Sequence, residues 1–258
     1  IRGALDLKYI DTHCHLLFPF YDEDREEVLL KVDDELDLFI EIGGDLDNSQ
    51  KVVDFIKNQP KAFGTVGIHP TDSEGFDINL IDKLEELAKN DKIVGIGETG
   101  LDFYWETNKQ TQYKVFDAQV SIAEKLNKPL VLHIRDAYND AYEFLKKSSL
   151  PSKLGVVHCF SDTWETAKKF LDLGFYLGFD GPITYPKNAE LRKVVQQTPF
   201  ERILPETDSP FLPPVPFRGK RNMPIYVKYV YEKIAEIKKI DIEELKSKLY
   251  FNTMSLFF

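Results

Sequence analysis

The sequence predicts an α/β protein folded as a single-domain (β/α)8 TIM barrel over residues 1–258, and three observations carry that expectation. The length suits one such barrel. Eight short apolar or β-branched runs alternate with longer charged segments, which implies repeated βαβ units and a parallel sheet. All five histidines fall at the same, polar end of those runs, the end that forms the active face of a barrel.

The strand-like runs are 8–18, 37–44, 61–70, 92–102, 129–137, 154–161, 175–183 and 202–212. Helical spacing of apolar residues lies between them. It is carried by Val28, Leu29 and Val32 after Glu27, then Val52, Val53 and Ile56, then Ile81, Leu84 and Leu87. It returns with Phe116, Val120 and Ala123, with Ala141, Phe144 and Leu145, and with Ala167, Phe170 and Leu171. A further helix is expected over 223–238, and a short closing one over 241–250.

Composition narrows the class of function. The chain is 43% hydrophobic, enough for one large core, yet lacks the ~18 uninterrupted apolar residues of a membrane helix. The opening segment, IRGALDLKYI, lacks a signal-peptide layout. With only Cys14 and Cys159, no disulfide framework is expected, and a cytoplasmic location follows as the default. The formal charge of −10 argues against a broad basic nucleic-acid footprint. It leaves room for a local phosphate site, because bound divalent cations invert the local field.

Each strand begins apolar and ends polar. The first ends in Asp11, His13 and His15, the third in His69, the fourth in Glu98, the fifth in His133, the sixth in His158, and the eighth in Glu206 and Asp208. Strand side chains alternate with period two, so Asp11, His13 and His15 are expected to share a facing. Two imidazoles aimed into the barrel mouth make a bidentate metal site. Glu98 could bridge two ions, with His133 and His158 on the second and Asp208 completing the first. Imidazole with carboxylate suits zinc or manganese, or magnesium where oxygen dominates. His69 taken alone is equally compatible with a hydrogen-bonded core histidine. The GIGETG run over 95–100 is a weak dinucleotide fingerprint, and no G-x-S-x-G elbow marks a serine nucleophile. Cys14 and Cys159 alternate with the candidate ligands and are expected to pack between barrel and helices.

Seven motifs, in order, resemble the TatD-type metal-dependent DNases of the amidohydrolase-like barrels. They are IDTHCHL (10–16), GIHP (67–70), GIGETGLDF (95–103), LVLHIRDA (130–137), GVVHCFS (155–161), ETDSPFL (206–212) and PVPFRGKRNMP (214–224). The resemblance covers nearly the whole chain. It implies a metal-dependent hydrolase with two divalent ions (Mg2+, Mn2+ or Zn2+). His13, His15 and Asp208 match the ligands of one ion, Glu98 the bridge, and His133 and His158 the ligands of the second. Asp208, Glu98 and His69 would be catalytic, with His69 also at the substrate pocket, and Glu206 matches an acidic position near the metals. The implied substrate is DNA, cleaved in the manner of a 3′–5′ exonuclease by a monomer that needs no membrane or obligate protein partner. Thr71 departs from the pattern, because many relatives place a second histidine there.

Arg135, Arg218 and Arg221 are the candidate phosphate contacts. Arg218 and Arg221 belong to the one concentrated basic run, RGKR (218–221), and offer forked donors. Phe103, Tyr104 and Trp105 could stack on bases or form a packing lid. Two other readings stand beside the nuclease: a barrel hydrolase for a non-DNA ester or amide, such as an aminoacyl-RNA deacylase, and a degenerate barrel that only binds. Glu98 occupies the position at which several amidohydrolases carry a carbamylated lysine, which favours the nuclease branch.

Overall fold

A computed structural model describes residues 6–258, so the reading of the opening segment lies partly outside the described residues. Eight strands form one parallel sheet in sequence order. They are β1 (Tyr9–Cys14), β2 (Leu36–Glu41), β3 (Ala62–Val66), β4 (Ile93–Asp102), β5 (Leu130–Arg135), β6 (Gly155–Val157), β7 (Tyr176–Phe179) and β8 (Ile203–Pro205). The helices between and after them are α1 (Arg25–Glu35), α2 (Leu46–Ile56), α3 (Ile81–Ala88), α4 (Lys109–Leu126), α5 (Tyr138–Lys147), α6 (Trp164–Leu173), α7 (Ala189–Gln197), α8 (Val227–Lys238) and α9 (Ile242–Phe257).

The sheet closes just beyond β8. The Asp208 N–H donates to His13 O at 2.8 Å, and the His15 N–H donates to Ser209 O at 2.8 Å. All eight predicted strands occur, but most are shorter than the apolar runs, because the polar tail of each run turns out of the ladder into the barrel mouth. His15 therefore lies one residue past β1. The helix α7 adds to those expected from spacing. The expected closing helix runs on to Phe257, carrying the tail 252–258 with it.

Two apolar layers result. The larger joins the outer face of the barrel to the helices, through residues such as Phe39, Leu132, Leu177, Phe116, Phe170 and Val230. The smaller fills the barrel, with Ile10, Leu38, Ile40, Val94, Val131, Val156, Tyr176 and Leu204 plugged from below by Leu256 and Phe257 of α9. Period-two alternation links this plug to the mouth. Val131 is followed two residues on by His133, Val156 by His158, Tyr176 by Gly178 and Asp180, and Leu204 by Glu206 and Asp208. The apolar member of each inward row supports the polar member above it.

The turn after β1 is held by one buried carboxylate. Glu41, at the end of β2, accepts hydrogen bonds from the Leu16 and Leu17 N–H groups, both at 2.9 Å. Burial pushes its carboxyl up to about 7 from an ordinary 4.5, against the pull of those two bonds. A carboxyl raised on folding contributes its stability fully below pH 4.5 and loses it as the pH rises through 7. At roughly 1.4 kcal/mol per unit, the loss is about 3 kcal/mol. Unfolding in denaturant with chelator present should therefore show the wild type losing about that much relative to Glu41→Gln between pH 5 and pH 8. Parallel pH dependences for the two proteins would contradict this account.

Candidate metal centre

The inward polar residues meet at the barrel mouth around Glu98. Glu98 Oε2 lies 3.3 Å from His13 Nε2 and 3.6 Å from His15 Nε2. Its Oε1 lies 3.0 Å from His133 Nδ1, 3.6 Å from His69 Nε2 and 3.7 Å from His158 Nε2. The two oxygens of one carboxylate thus address two separate sets of imidazoles. Asp208 Oδ1 faces the first set, at 3.3 Å from His15 Nε2 and 3.4 Å from His13 Nε2.

His13, His15 and Asp208 offer donor atoms within 4.8 Å of one another, as do His69, Glu98 and His133. Glu98 belongs to the second group and turns its Oε2 toward the first, while His13, His158 and Glu206 make a third group. His158, expected on the second ion, has its Nε2 3.7 Å from Glu98 Oε1 and 3.6 Å from Asp208 Oδ1. Its ring stacks on His13 at 3.4 Å. His69 also stands beside Glu98 and His133, its ring centroid 4.3 Å from that of His133.

The donors fit a cation. His13 Nε2 is completely buried and approaches two carboxylates without forming a hydrogen bond to either, and His13 Nδ1, His15 Nδ1 and Glu206 Oε2 also lack hydrogen-bond partners. Buried polar atoms left this way are costly, and a mixed imidazole and carboxylate set is what zinc, manganese and similar ions take.

Electrostatics keeps the carboxylates ionised. Burial works to raise the Glu98 carboxyl, but the imidazoles of His13 and His158 outweigh it and hold it well below the ordinary range. Asp208 is lowered likewise against burial, by His158 and by the His15 imidazole 3.3 Å away. His158 is raised well above the usual imidazole range, because Glu206, Asp208 and Glu98 overcome its burial. His13 is lowered, by burial and then by the neighbouring His158.

Behind the ring of donors lies a layer that the sequence reading had not resolved into roles. Glu206 is fully buried beneath the imidazoles. Its Oε1 lies 3.0 Å from His158 Nδ1 and accepts the Cys159 N–H at 2.8 Å, while its Oε2 is 3.9 Å from His13 Nδ1. Gly178 makes the hole it occupies, since a Cβ there would come within 2.3 Å of the Glu206 carboxylate. Asp102 was not singled out, although it ends β4 and stands an even four residues from Glu98. Its Oδ2 lies 2.8 Å from His133 Nε2, leaving His133 Nδ1 toward Glu98. Asp11 is buried against the segment that follows β8: it accepts bonds from the Thr207 N–H and hydroxyl and contributes no donor to the mouth.

His69 is oriented by the residue that departs from the family pattern. The Thr71 N–H donates to His69 Nδ1 at 3.2 Å, and the Thr71 hydroxyl lies 2.6 Å from the same atom. A backbone N–H can only donate, so Nδ1 accepts and the neutral ring carries its proton on Nε2, facing the site. Burial and then His133 push this imidazole down to about 4.

The arginines divide. Arg221, expected to anchor phosphate, makes a bidentate pair with Asp24 at 2.8 and 2.6 Å and donates to Phe20 O at 2.8 Å. Its planar fork fits the carboxylate 197 residues away in sequence. Arg218 is exposed and lies over the Tyr185 ring at 4.0 Å. Arg135 lies over Tyr104 at 3.7 Å rather than against a carboxylate. Of the aromatic trio, Phe103 packs against Tyr113, whereas Tyr104 and Trp105 stay exposed at the rim. Cys14 is buried in the outer core as expected, but Cys159, with a positive φ, turns toward the mouth beside Ser161 and Asp180.

A nearly closed eight-stranded barrel with imidazoles and carboxylates convergent at the C-terminal ends of its strands defines a metal-dependent hydrolase. The sequence profile of the TatD related DNases matches residues 10–258, and the chain belongs to that family. It is 38% identical over 249 residues to the uncharacterized metal-dependent hydrolase YabD of Bacillus subtilis, covering 96% of this chain and 98% of that one. It is 35% identical over 253 residues to the uncharacterized metal-dependent hydrolase YcfH of Escherichia coli, covering 96% and 95%. The crystal structure of YjjV, a TatD homolog from Escherichia coli, superposes with a TM-score of 0.91 at 30% identity, covering 96% of this chain and 97% of that one.

Carboxylates bonded to the far nitrogen of a ligating histidine set its tautomer and basicity. Glu206→Gln and Asp102→Asn should therefore each weaken divalent-ion affinity about 10- to 100-fold, measured by competition with a chromogenic chelator, while circular dichroism stays unchanged. Unaltered affinity in both variants would contradict the role given to these two residues.

Proposed function

We propose that this protein is a deoxyribonuclease that hydrolyses phosphodiester bonds of DNA, in the manner of a 3′–5′ exonuclease, using two divalent ions (Mg2+, Mn2+ or Zn2+). The observation that carries the reading is the division of Glu98: one oxygen toward His13 and His15, the other toward His133 and His69. His13, His15 and Asp208 would hold one ion, and His133 and His158 the other, with Glu98 common to both. When bound, such a pair supplies an acidified water and positive charge against the phosphoryl oxygens.

The remaining steps belong to the chain. Asp208 suits the role of orienting the attacking water and accepting its proton. It is held ionised, and its side chain is 14% exposed where those of Glu98 and Glu206 are 5% and 1%. His69, neutral and with its proton on Nε2, would donate to a non-bridging oxygen. Arg135 and Arg218, each stacked on a tyrosine, keep their guanidinium edges available for flanking phosphates. Arg221 is committed to Asp24 and takes no part in substrate binding.

No helix among the described residues is long and apolar enough to cross a membrane. Two free cysteines fit a reducing, cytoplasmic setting for a monomer that acts on DNA. A carbamylated-lysine chemistry for amides or carboxylic esters is disfavoured because Glu98 stands at the bridging position.

Single-stranded DNA, duplex DNA, an aryl phosphodiester and a dipeptide, each assayed with Mg2+, Mn2+ and Zn2+, test the reading. DNA and the phosphodiester should be cleaved and the dipeptide spared. Asp208→Ala should lower kcat on a defined oligonucleotide by about 10²- to 10⁴-fold with the fold intact, and Glu98→Ala should abolish turnover. Near-normal kcat in Asp208→Ala would show the proposed proton transfer to be wrong.

A further inference from the structure

Among the described residues, the glutamines Gln112 and Gln119 are buried, whereas the others are exposed or half-buried. Both lie on α4. Seven residues separate them, close to two full turns, so they share one face of the helix. Each amide pairs with one backbone peptide group of the barrel. The Asp102 N–H donates to Gln112 Oε1 at 2.8 Å, and Gln112 Nε2 donates to Asp102 O at 2.7 Å. The Ile68 N–H donates to Gln119 Oε1 at 2.7 Å, and Gln119 Nε2 donates to Ile68 O at 3.1 Å and to Val115 O at 3.2 Å.

These are the places where the sheet runs out. β3 ends at Val66, which pairs with Ile96, while β4 continues to Asp102. The Phe103 N–H donates to Arg135 O of β5 at 2.9 Å. Successive strand residues turn their backbone groups to opposite sides, so those of Asp102 face the side where β3 has ended. A buried peptide group without a partner is costly, and the Gln112 amide stands in for the missing strand. Ile68 lies beyond the end of β3, and Gln119 stands in there.

Both peptide groups carry a residue of the site. Asp102 Oδ2 lies 2.8 Å from His133 Nε2. Ile68 precedes His69, whose Nε2 lies 3.6 Å from Glu98 Oε1. The helix between the two amides is fixed at its ends, by the Asn108 cap and by left-handed Asn127. Its length therefore sets the separation of Asp102 from Ile68. Neither glutamine bonds to β1 or to the segment after β8, which carry His13, His15 and Asp208.

We propose that Gln112 and Gln119 are positioning residues for one half of the metal centre, Gln112 setting His133 through Asp102 and Gln119 setting His69 through Ile68. A loosened carboxylate behind a ligating histidine loosens the ion. A displaced donor lowers turnover without loosening an ion. The first part rests on the two-ion reading above, and the second on the phosphodiester reading.

The test combines stepwise Mn2+ binding to the metal-free chain with kcat/KM on a short oligonucleotide. Gln112→Met and Gln119→Met keep the length of the side chain and remove its hydrogen bonds. Lys128→Met is the comparator for a general loss of stability. It removes bonds to the Ala88, Asn90 and Ile93 carbonyls, at the opposite ends of the strands. Gln112→Met should weaken the second Mn2+ roughly 10- to 100-fold and leave the first unchanged. Gln119→Met should leave both ions unchanged and lower kcat/KM by up to about 100-fold. Lys128→Met should change neither property. If a methionine variant does not fold, Gln112→Glu and Gln119→Glu, which keep the accepting oxygen, should show the same split at smaller size. Equal weakening of both ions in the Gln112 variant, or glutamine variants indistinguishable from Lys128→Met, overturns the proposal and leaves the two-ion reading standing. A single Mn2+ in the wild type overturns the two-ion reading and the role of Gln112 with it. Absence of cleavage by the wild type overturns the nuclease reading and the role of Gln119.

Discussion

The site depends on one carboxylate shared between two groups of imidazoles. Glu98 is buried, and that burial alone would neutralise it. It stays ionised because His13, His158 and His133 surround it. The reciprocal effect holds the histidines, since His158 and His133 are raised by the carboxylates they face. Neither partner is tolerable in the barrel interior without the other. The fold supplies the condition for this by closing the sheet, so that strands far apart in sequence deliver their final side chains to one point.

The barrel beneath is arranged to hold that point still. The inward rows place valine, tyrosine and leucine below the polar residues and seal the bottom with α9. Glu206 and Asp102 then fix the far nitrogens of His158 and His133. Gly178 leaves the space Glu206 needs. Above, the Arg221 pair with Asp24 ties the loop that follows β8 to the segment that follows β1. Precision at the mouth is therefore the sum of several buried contacts, few of which touch a substrate.

Much of this was legible along the chain because it follows period two. The rows through His133, His158 and Glu206 place their polar residue two steps beyond an apolar one, and the His13–Cys14–His15 spacing reads directly as two donors and one core residue. Asp102 was available to the same count, standing four residues beyond Glu98, and was passed over because its partner nitrogen is on another strand. The pairing of Arg221 with Asp24, the turn that brings Cys159 to the mouth, and the partition of His69 and His158 around Glu98 were not legible. Each depends on contacts between distant segments or on a local backbone reversal, and neither leaves a periodic trace. The charge of −10 carries no trace of the stacked Arg135 and Arg218, because composition averages over a surface.

The central claim is that Glu98 belongs to two ions at once. Electron paramagnetic resonance of the Mn2+-loaded protein tests it directly. The account predicts two ions per chain with a spin-coupled signal in the wild type, and loss of the coupling in Glu98→Ala while circular dichroism is unchanged. A wild-type signal from isolated Mn2+ only, at any loading, would contradict it.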